Sequence, residues 1–254
     1  MLKPPEHFED RVGNTFIVIG QSAGNLIEKY FFMNQKQNLG IYLKPKEKIS
    51  KLFLSQLKQI NQKYTKTKNF SQYKKNIQTL FQLEPQIKKT TTTFYYLAGF
   101  IEGEGSLNLG AKKNKTSRLK VFFDPEFNIT QHINGIQNLY LALCVFQTGR
   151  IRYKSSSNAT FVYTIDNRKS LIEKVIPFYE TYVKPYGCKV KVSRVKTFKQ
   201  VLKLIDEKAH LNSDRLINEF LPLWDSLRMQ FNSNQTFVDQ RQAELFLKNA
   251  NAQN

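Results

Sequence analysis

Leu97-Ala98-Gly99-Phe100-Ile101-Glu102-Gly103-Glu104-Gly105 is the stretch around which this chain is organised. With Phe94 and Tyr95 before it, its apolar spacing is that of a buried helix. Gly99 and Gly103 stand four apart and so share one face. Each glycine costs a helix interior about 1 kcal/mol relative to alanine. Two in so short a helix point to something that approaches its backbone closely, and a second helix of the same kind is the expected neighbour. Glu102 and Glu104 point to nearly opposite sides at about 100° per residue, so at most one faces a given site. Gly105 is the expected helix stop. Glu104 then sits at the helix end, where a carboxylate reaches solvent and a metal. Thr93 is the expected N-cap.

After Gly105 the period switches to two. In Ser106–Lys112, Leu107, Leu109 and Ala111 take one face; Ser106, Asn108, Gly110 and Lys112 take the other. A polar turn, Lys113–Ser117, leads to a strand over Arg118–Thr130, with Leu119, Val121, Phe123, Phe127 and Ile129 opposite Arg118, Lys120, Asp124, Glu126, Asn128 and Thr130. Pro125 predicts an edge position or a bulge midway. A helix is expected near Gln131–Phe146, with Ile133, Ile136, Leu139, Tyr140 and Leu143 inward. Gly149–Lys154 alternates sharply, with Arg150, Arg152 and Lys154 facing away from Ile151 and Tyr153. Ala159–Ile165 pairs back, with Phe161, Tyr163 and Ile165 inward and Thr160, Val162 and Thr164 outward. A helix over about 168–181 closes the unit. The order from 94 to 181 is thus αββαββα, an α+β fold. Each strand pair has one apolar and one hydrogen-bonding face. The polar face gathers Lys112, Arg118, Lys120, Arg150, Arg152 and Lys154, the cation types that reach guanine in a DNA major groove, while asparagine reaches adenine and flanking lysines contact phosphate.

Upstream, residues 46–64 are Lys-rich over a helical stripe of Ile49, Leu52, Phe53, Leu57 and Ile60, and a second helix covers 70–83. Lys63–Lys68, with Thr and Lys alternating, is expected between them. Two readings stand side by side for this pair: an arm on DNA phosphates, or a solvated helical pair covering a core edge. Residues 1–40 are expected to form a poorly ordered lead. Pro85 and Thr90–Thr93 mark a linker. Downstream, 184–208 stays basic over a stripe of Val192, Val195, Phe198, Val201, Leu202 and Ile205. Ser213 or Asp214 is expected to cap a further helix that Pro222 breaks or kinks, and a last helix near 237–248 precedes a frayed tail. The expected divisions are a lead over 1–40, a basic helical extension over 41–89, a core over 90–208 and C-terminal helices over 209–254.

The chain carries 39 Lys+Arg against 20 Asp+Glu, a formal charge of +19, which is that of a polyanion binder. Hydrophobic content of 41% excludes a basic disordered tail as the whole chain. Cys144 and Cys188 stand alone, so no disulfide framework or zinc finger is implied. No apolar run approaches the roughly 18 residues needed to span a membrane. The opening residues, with Glu6, Glu9, Asp10 and a short apolar run at Phe16–Ile19, read neither as a signal peptide nor as a transit peptide. An organellar protein with this sequence is expected to be made in the organelle.

Residues 97–105 resemble the motif of the LAGLIDADG homing endonucleases in an acidic variant with Glu at positions six and eight. The likeness covers at least 94–205 and more loosely 41–86. It implies the αββαββα homing-endonuclease fold, with a four-stranded antiparallel DNA-binding saddle and helical N- and C-terminal extensions. One motif copy per chain implies a homodimer whose motif helices meet through Ala98, Gly99 and Gly103. The resemblance also implies a Mg²⁺-dependent endodeoxyribonuclease, with Mn²⁺ as a substitute, that makes a staggered double-strand break in a long, near-palindromic DNA site. Glu104 and the Gly103 carbonyl would ligate the metal, and Gln131 would position water. A basic residue would support the scissile phosphate, Lys191 as the best match and Lys189 as the alternate. Ser106, Asn108, Lys112, Arg118, Lys120, Asn128, Arg150, Arg152, Lys154 and Thr160 would contact double-stranded DNA. Gly135 stands where relatives often carry an arginine. The segments 124–135, 148–152, 157–160 and 164–180 resemble the subgroup encoded in group I introns of chloroplast large-subunit ribosomal RNA genes. That suggests such a gene as target, intron homing as the outcome, and a chloroplast, with the mitochondrion as the other organelle, as the location. An RNA maturase assisting intron splicing is the alternative; it could dispense with Glu104.

Overall fold

The computed structural model describes residues 7–9, 15–17, 41–44, 47–84, 89–114, 119–227, 237 and 239–251. The chain divides into two units, Met1–Asn38 and Leu39–Asn254. In the first, β1 (His7–Glu9) and β2 (Thr15–Ile17) pair antiparallel, with Phe8 opposite Phe16. The rest of the lead expected over 1–40 lies outside the described residues.

The larger unit is built on one antiparallel sheet in the order β3-β4-β6-β5, with β3 at Gly105–Lys113, β4 at Val121–His132, β5 at Arg150–Tyr153 and β6 at Thr160–Ile165. The alternation read from the sequence sets the two faces. Leu107, Leu109, Phe123, Phe127, Ile129, Ile151, Phe161, Tyr163 and Ile165 are all buried. The β4–β6 ladder covers only Phe127–His132, so at Pro125 β4 has a strand neighbour on the β3 side alone. That is the edge-like setting a proline tolerates. β4 runs on through Gln131 and His132, which were expected to begin a helix. A 3₁₀ turn at Ile133–Gly135 intervenes before α4 (Ile136–Phe146; α1 to α3 are located below).

The apolar face is covered by α3 (Thr91–Glu104), α4 and α5, a continuous helical run through Arg168–Ser170, Leu171–Val175, Ile176–Phe178 and Tyr179–Val183. Thr90, not Thr93, caps α3. Its hydroxyl accepts from the Thr93 N–H at 3.2 Å, and Thr93 returns the bond as the third helical residue, a reciprocal capping box. Leu171–Val175 has the wider π spacing, with the Ile176 N–H donating to the Leu171 carbonyl, and Pro177 follows at once. Leu216–Phe220 precedes Pro222 in the same way. A proline lacks its N–H and its ring collides with the carbonyl four residues back; a wider turn ahead of it moves that carbonyl away. Pro222 therefore does not break α7, which runs through Ser213–Arg215, Leu216–Phe220 and Leu221–Leu227. Asn212 caps α7, accepting from the Arg215 N–H at 3.0 Å, in place of the expected Ser213 or Asp214.

Helices flank both outer strands. α6 (Lys189–Asp206; α7 packs beside it) lies along β3. α1 (Lys51–Thr67) lies along β5, and α2 (Phe70–Phe81) bridges α1 to α4. The Lys/Thr alternation expected between α1 and α2 is mostly helical. The chain reverses at Lys68, which is left-handed at φ 54°, and Asn69 caps α2. α8 (Gln240–Asn251) packs on α7. The edge at β5 is sealed by side chains. Asn61 donates to the Ile151 carbonyl at 3.0 Å, the Ile151 N–H donates to the Tyr73 hydroxyl at 2.8 Å, and Tyr73 donates to Asn61 at 3.1 Å. Tyr73→Phe removes the hub of this triangle and leaves a buried N–H unpaired. It is expected to cost about 1–3 kcal/mol, read as a lowered urea midpoint.

Candidate nucleic-acid interface and catalytic end of α3

α3 ends at Glu104, and its last carbonyls have no partner within the helix. Lys191, the third residue of α6, supplies one. Its ammonium donates to the carbonyls of Ile101 at 3.2 Å and Gly105 at 2.9 Å, and to that of Glu102. A cation at a helix C-terminus is favoured by the macrodipole. Burial pushes this ammonium below the ordinary lysine value, and the Glu102 carboxylate opposes that shift. Gly103 is not among the three acceptors. The contact is returned: Glu102 Oε1 accepts from the N–H of Cys188, the N-cap of α6, at 3.0 Å. Glu102 Oε2 is buried without a partner. The two helix ends thus cap each other, and Glu104 and Gly103 project from the joint, both exposed. Glu102 as a clasp was not anticipated. Its only sequence signal is that it cannot face the same way as Glu104.

Gly105 makes this turn possible. A Cβ there would stand 2.6 Å from the Ile101 carbonyl oxygen and 2.8 Å from Ile101 Cγ2. Gly99 and Gly103 are the opposite case, with nothing within 4 Å of an added Cβ. Ala98, expected beside them at a dimer interface, is 3% exposed and packs inside the protomer's own core. The exposed face carries instead Tyr95, Gly99 and Gly103 at four-residue spacing, with Tyr95 46% exposed.

Gln131 pairs with Phe161 two residues beyond Ile129, the partner of Gly105, so it lies just past the α3–β3 joint. Its Oε1 accepts from the His132 N–H at 2.9 Å. Its side chain fills the place beside Gly135, where a Cβ would come within 2.7 Å of Gln131 Cγ. Gly135 therefore makes room for the Gln131 side chain. Lys189 is exposed and Lys191 is the lysine that reaches the motif.

On the open face of the sheet, register places Ser106, Asn128, Thr164 and Arg150 in one row, and Thr130, Val162 and Arg152 in the next. Ser106 donates to Asn108 at 2.8 Å, and Asn128 Oδ1 is buried without a partner. Thr160 is half-buried and Lys154 lies exposed just past β5. Cations here are held by carboxylates: Lys112 by Asp124 at 3.0 Å, Arg152 by Glu126 at 3.8 Å, and Arg150 by Asp166. Thr164, expected outward and wet, is 0% exposed because Arg152 lies over it with a 2.9 Å bond to its hydroxyl. Lys120 is not in a strand; it occupies a left-handed turn at φ 57° before β4. Arg118 lies outside the described residues. Phe122, opposite Lys112 and 42% exposed, was missed; alternation alone places it on this face.

The family model described as LAGLIDADG endonuclease matches residues 97–203. The DNA endonuclease I-CeuI of Chlamydomonas moewusii is 50% identical over 208 residues, spanning 82% of this chain and 95% of the relative. The solved structure of the group I intron-encoded homing endonuclease I-CeuI complexed with DNA superposes with a TM-score of 0.78 at 50% identity, covering 81% of this chain and all of that one. The archaeal intron-encoded homing endonuclease I-Vdi141I complexed with DNA gives 0.56 at 25% identity, over 63% and 98%. This chain belongs to the LAGLIDADG endonuclease family, and its fold is the mixed α+β fold of the homing endonucleases.

Gly105→Ala is expected to lower stability by about 1–3 kcal/mol, the usual cost of overpacking. The contact is to backbone and cannot relax by rotamer change. Denaturant unfolding checks it; an unchanged midpoint would mean that the joint has slack.

Proposed function

We propose that this protein is a homing endonuclease that makes a staggered double-strand break in a long, near-palindromic DNA site, in a large-subunit ribosomal RNA gene, and so promotes intron homing. The observation that carries this reading is the exposed Glu104 on a clamped helix end beside a cation-bearing open sheet. Half-identity to a DNA endonuclease along 95% of that relative's length supports it. Resemblance to the chloroplast intron subgroup supports the locus and an organellar setting. No helix among the described residues is long and apolar enough to cross a membrane.

A divalent metal fits the donors in half-measure. Among the described residues no three His, Cys, Asp or Glu gather to hold an ion. The Glu104 carboxylate and the Gly103 carbonyl are hard oxygens, left free while Lys191 takes the carbonyls on either side. Mg²⁺ needs few protein ligands when phosphate and water supply the rest; Mn²⁺ accepts the same oxygens. When bound, the metal polarises the phosphoryl group and acidifies water. Glu104 and Gly103 would hold it, Gln131 would orient the attacking water, and Lys191 would set positive charge beside the scissile phosphate. Water adds to phosphorus, the P–O ester bond breaks, and the leaving oxygen takes up a proton.

One carboxylate per protomer calls for two protomers per site. Gly99 and Gly103 supply the contact: each costs α3 about 1 kcal/mol, and nothing in the protomer requires either. A second α3 packed at a two-fold axis accounts for both, with Tyr95 on the same face.

Glu104→Gln is expected to lower cleavage by about a hundredfold or more, since metal-assisted charge stabilisation is worth several kcal/mol, while leaving duplex binding in place. Plasmid linearisation and fluorescence anisotropy read the two; Mg²⁺-dependent cutting at the normal rate overturns the assignment. Gly99→Ala with Gly103→Ala is expected to raise the stability of the protomer by up to about 2 kcal/mol and to weaken dimerisation. A variant that still sediments as a dimer and still cuts both strands would refute the helix pairing.

A further inference from the structure

Outside the sheet, the strongest unexplained feature is the surface of α1. Residues 48–83 contain eight lysines and no Asp or Glu. Along α1, Lys51, Ser55, Lys58, Gln62 and Lys66 recur at four-, seven-, eleven- and fifteen-residue offsets, which places them on one stripe, and all five are exposed. The opposite stripe is fixed to the body. Phe53 meets Phe81 edge-on at 5.1 Å, Tyr64 stacks on Tyr73 at 4.3 Å, and Asn61 bonds the Ile151 carbonyl. Between α1 and β5 runs a groove of about 610 Å³ whose polar lining includes Lys58, Asn61, Gln62, Thr65 and Lys66 from one side and Arg150 and Arg152 from the other. The lysine stripe is therefore continuous with the cations of the open sheet face.

A merely solvated face would look different, and this molecule supplies the comparison. At α5, α6 and α7 several exposed cations have carboxylate partners: Lys184 and Lys199 share Glu180, Lys203 meets Glu207, and Arg215 meets Glu207 and Glu219. None of the described ion pairs involves a lysine of α1. Lys63 and Lys66 even place like charges three apart, which works against a helix. Uncompensated charge on a rigid mount, with Gln and Thr donors between, is the chemistry of a surface that meets phosphate.

We propose that α1 and the β5 edge form a second contact surface for the backbone of double-helical DNA, flanking the base-reading sheet and adding affinity without sequence preference. This rests on the endonuclease reading above. The test is the full chain carrying Lys51→Gln, Lys58→Gln and Lys66→Gln. Glutamine keeps helix propensity close to that of lysine, and far-UV circular dichroism with a thermal melt confirms the fold. Dissociation constants are measured for a target duplex and an unrelated duplex from 50 to 200 mM KCl. Each lost phosphate contact should flatten the slope of log K against log [salt] by about 0.9, so a change of about 2–3 is expected. It should be equal for the two duplexes, so that the ratio of their affinities is preserved. An unchanged slope overturns the proposal, as does a loss confined to the target duplex, or a slope change seen on intron RNA and not on DNA. If the unmodified chain binds neither duplex, the endonuclease reading itself fails, which is a distinct result.

Discussion

The structure depends on how two helix ends satisfy each other. A helix leaves its last carbonyls without partners and concentrates partial negative charge there; the next helix begins with free N–H groups and partial positive charge. In this protein α3 ends where α6 begins. Lys191 of α6 reaches the carbonyls of α3, and Glu102 of α3 reaches the N–H of Cys188. Glu104 lies two residues beyond Glu102 and one before Gly105, so its backbone is held from both sides while its side chain stays exposed. A carboxylate on a loop could not be aimed so well. Two charged groups partly withdrawn from water secure the position of a third.

The same helix that clamps α3 also closes an edge of the sheet. Arg194 donates to the Leu107 carbonyl at 3.0 Å, one turn along from Lys191 on Gly105. At the other edge, Asn61 and Tyr73 occupy both backbone groups of Ile151. Open strand edges invite pairing with other chains. With β3 and β5 partly occupied by side chains, a continuous sheet through two protomers is disfavoured, which agrees with the proposed helix-to-helix contact through the glycine-bearing face of α3.

Much of this was legible in the sequence because period and punctuation agree. The switches from helical spacing to alternation at Gly105 and again at Gly149 locate every strand of the large sheet to within a few residues. The misreadings are physical. Thr90 and Thr93 are both good caps, and only their reciprocal bonding shows which stands outside the helix. Pro222 was expected to break or kink a helix, and periodicity does not reveal the π turn that lets the helix run past it. Ala98 looked like part of the small-residue face, yet it sits one residue before Gly99, about 100° round the helix, and that is enough to bury it. Thr164 alternates as an outward residue and is covered by an arginine from the next strand. Nothing local to Glu102 signals a contact with a backbone 86 positions away.

The cations of this protein fall into two kinds, and the difference bears on how recognition and affinity can be divided. On the open sheet, Lys112, Arg150 and Arg152 each meet a carboxylate. Exposed pairs of this sort contribute at most about 1 kcal/mol, so a competing anion can replace the partner at small cost. Meanwhile the pair holds an arginine fork in a defined plane, which bidentate contact with a base edge requires. The partner acids also dilute the positive charge that an arbitrary backbone would encounter. The lysines of α1 enter none of the described ion pairs and have no acidic residue within 48–83, which suits point contact with phosphate in any sequence. On the proposed reading, a tethered and partly neutralised surface discriminates while an uncompensated one adheres. A net charge of +19 then need not mean indiscriminate binding at the sheet, because part of that charge, Lys51, Lys58, Lys63 and Lys66, lies on the flanking helix.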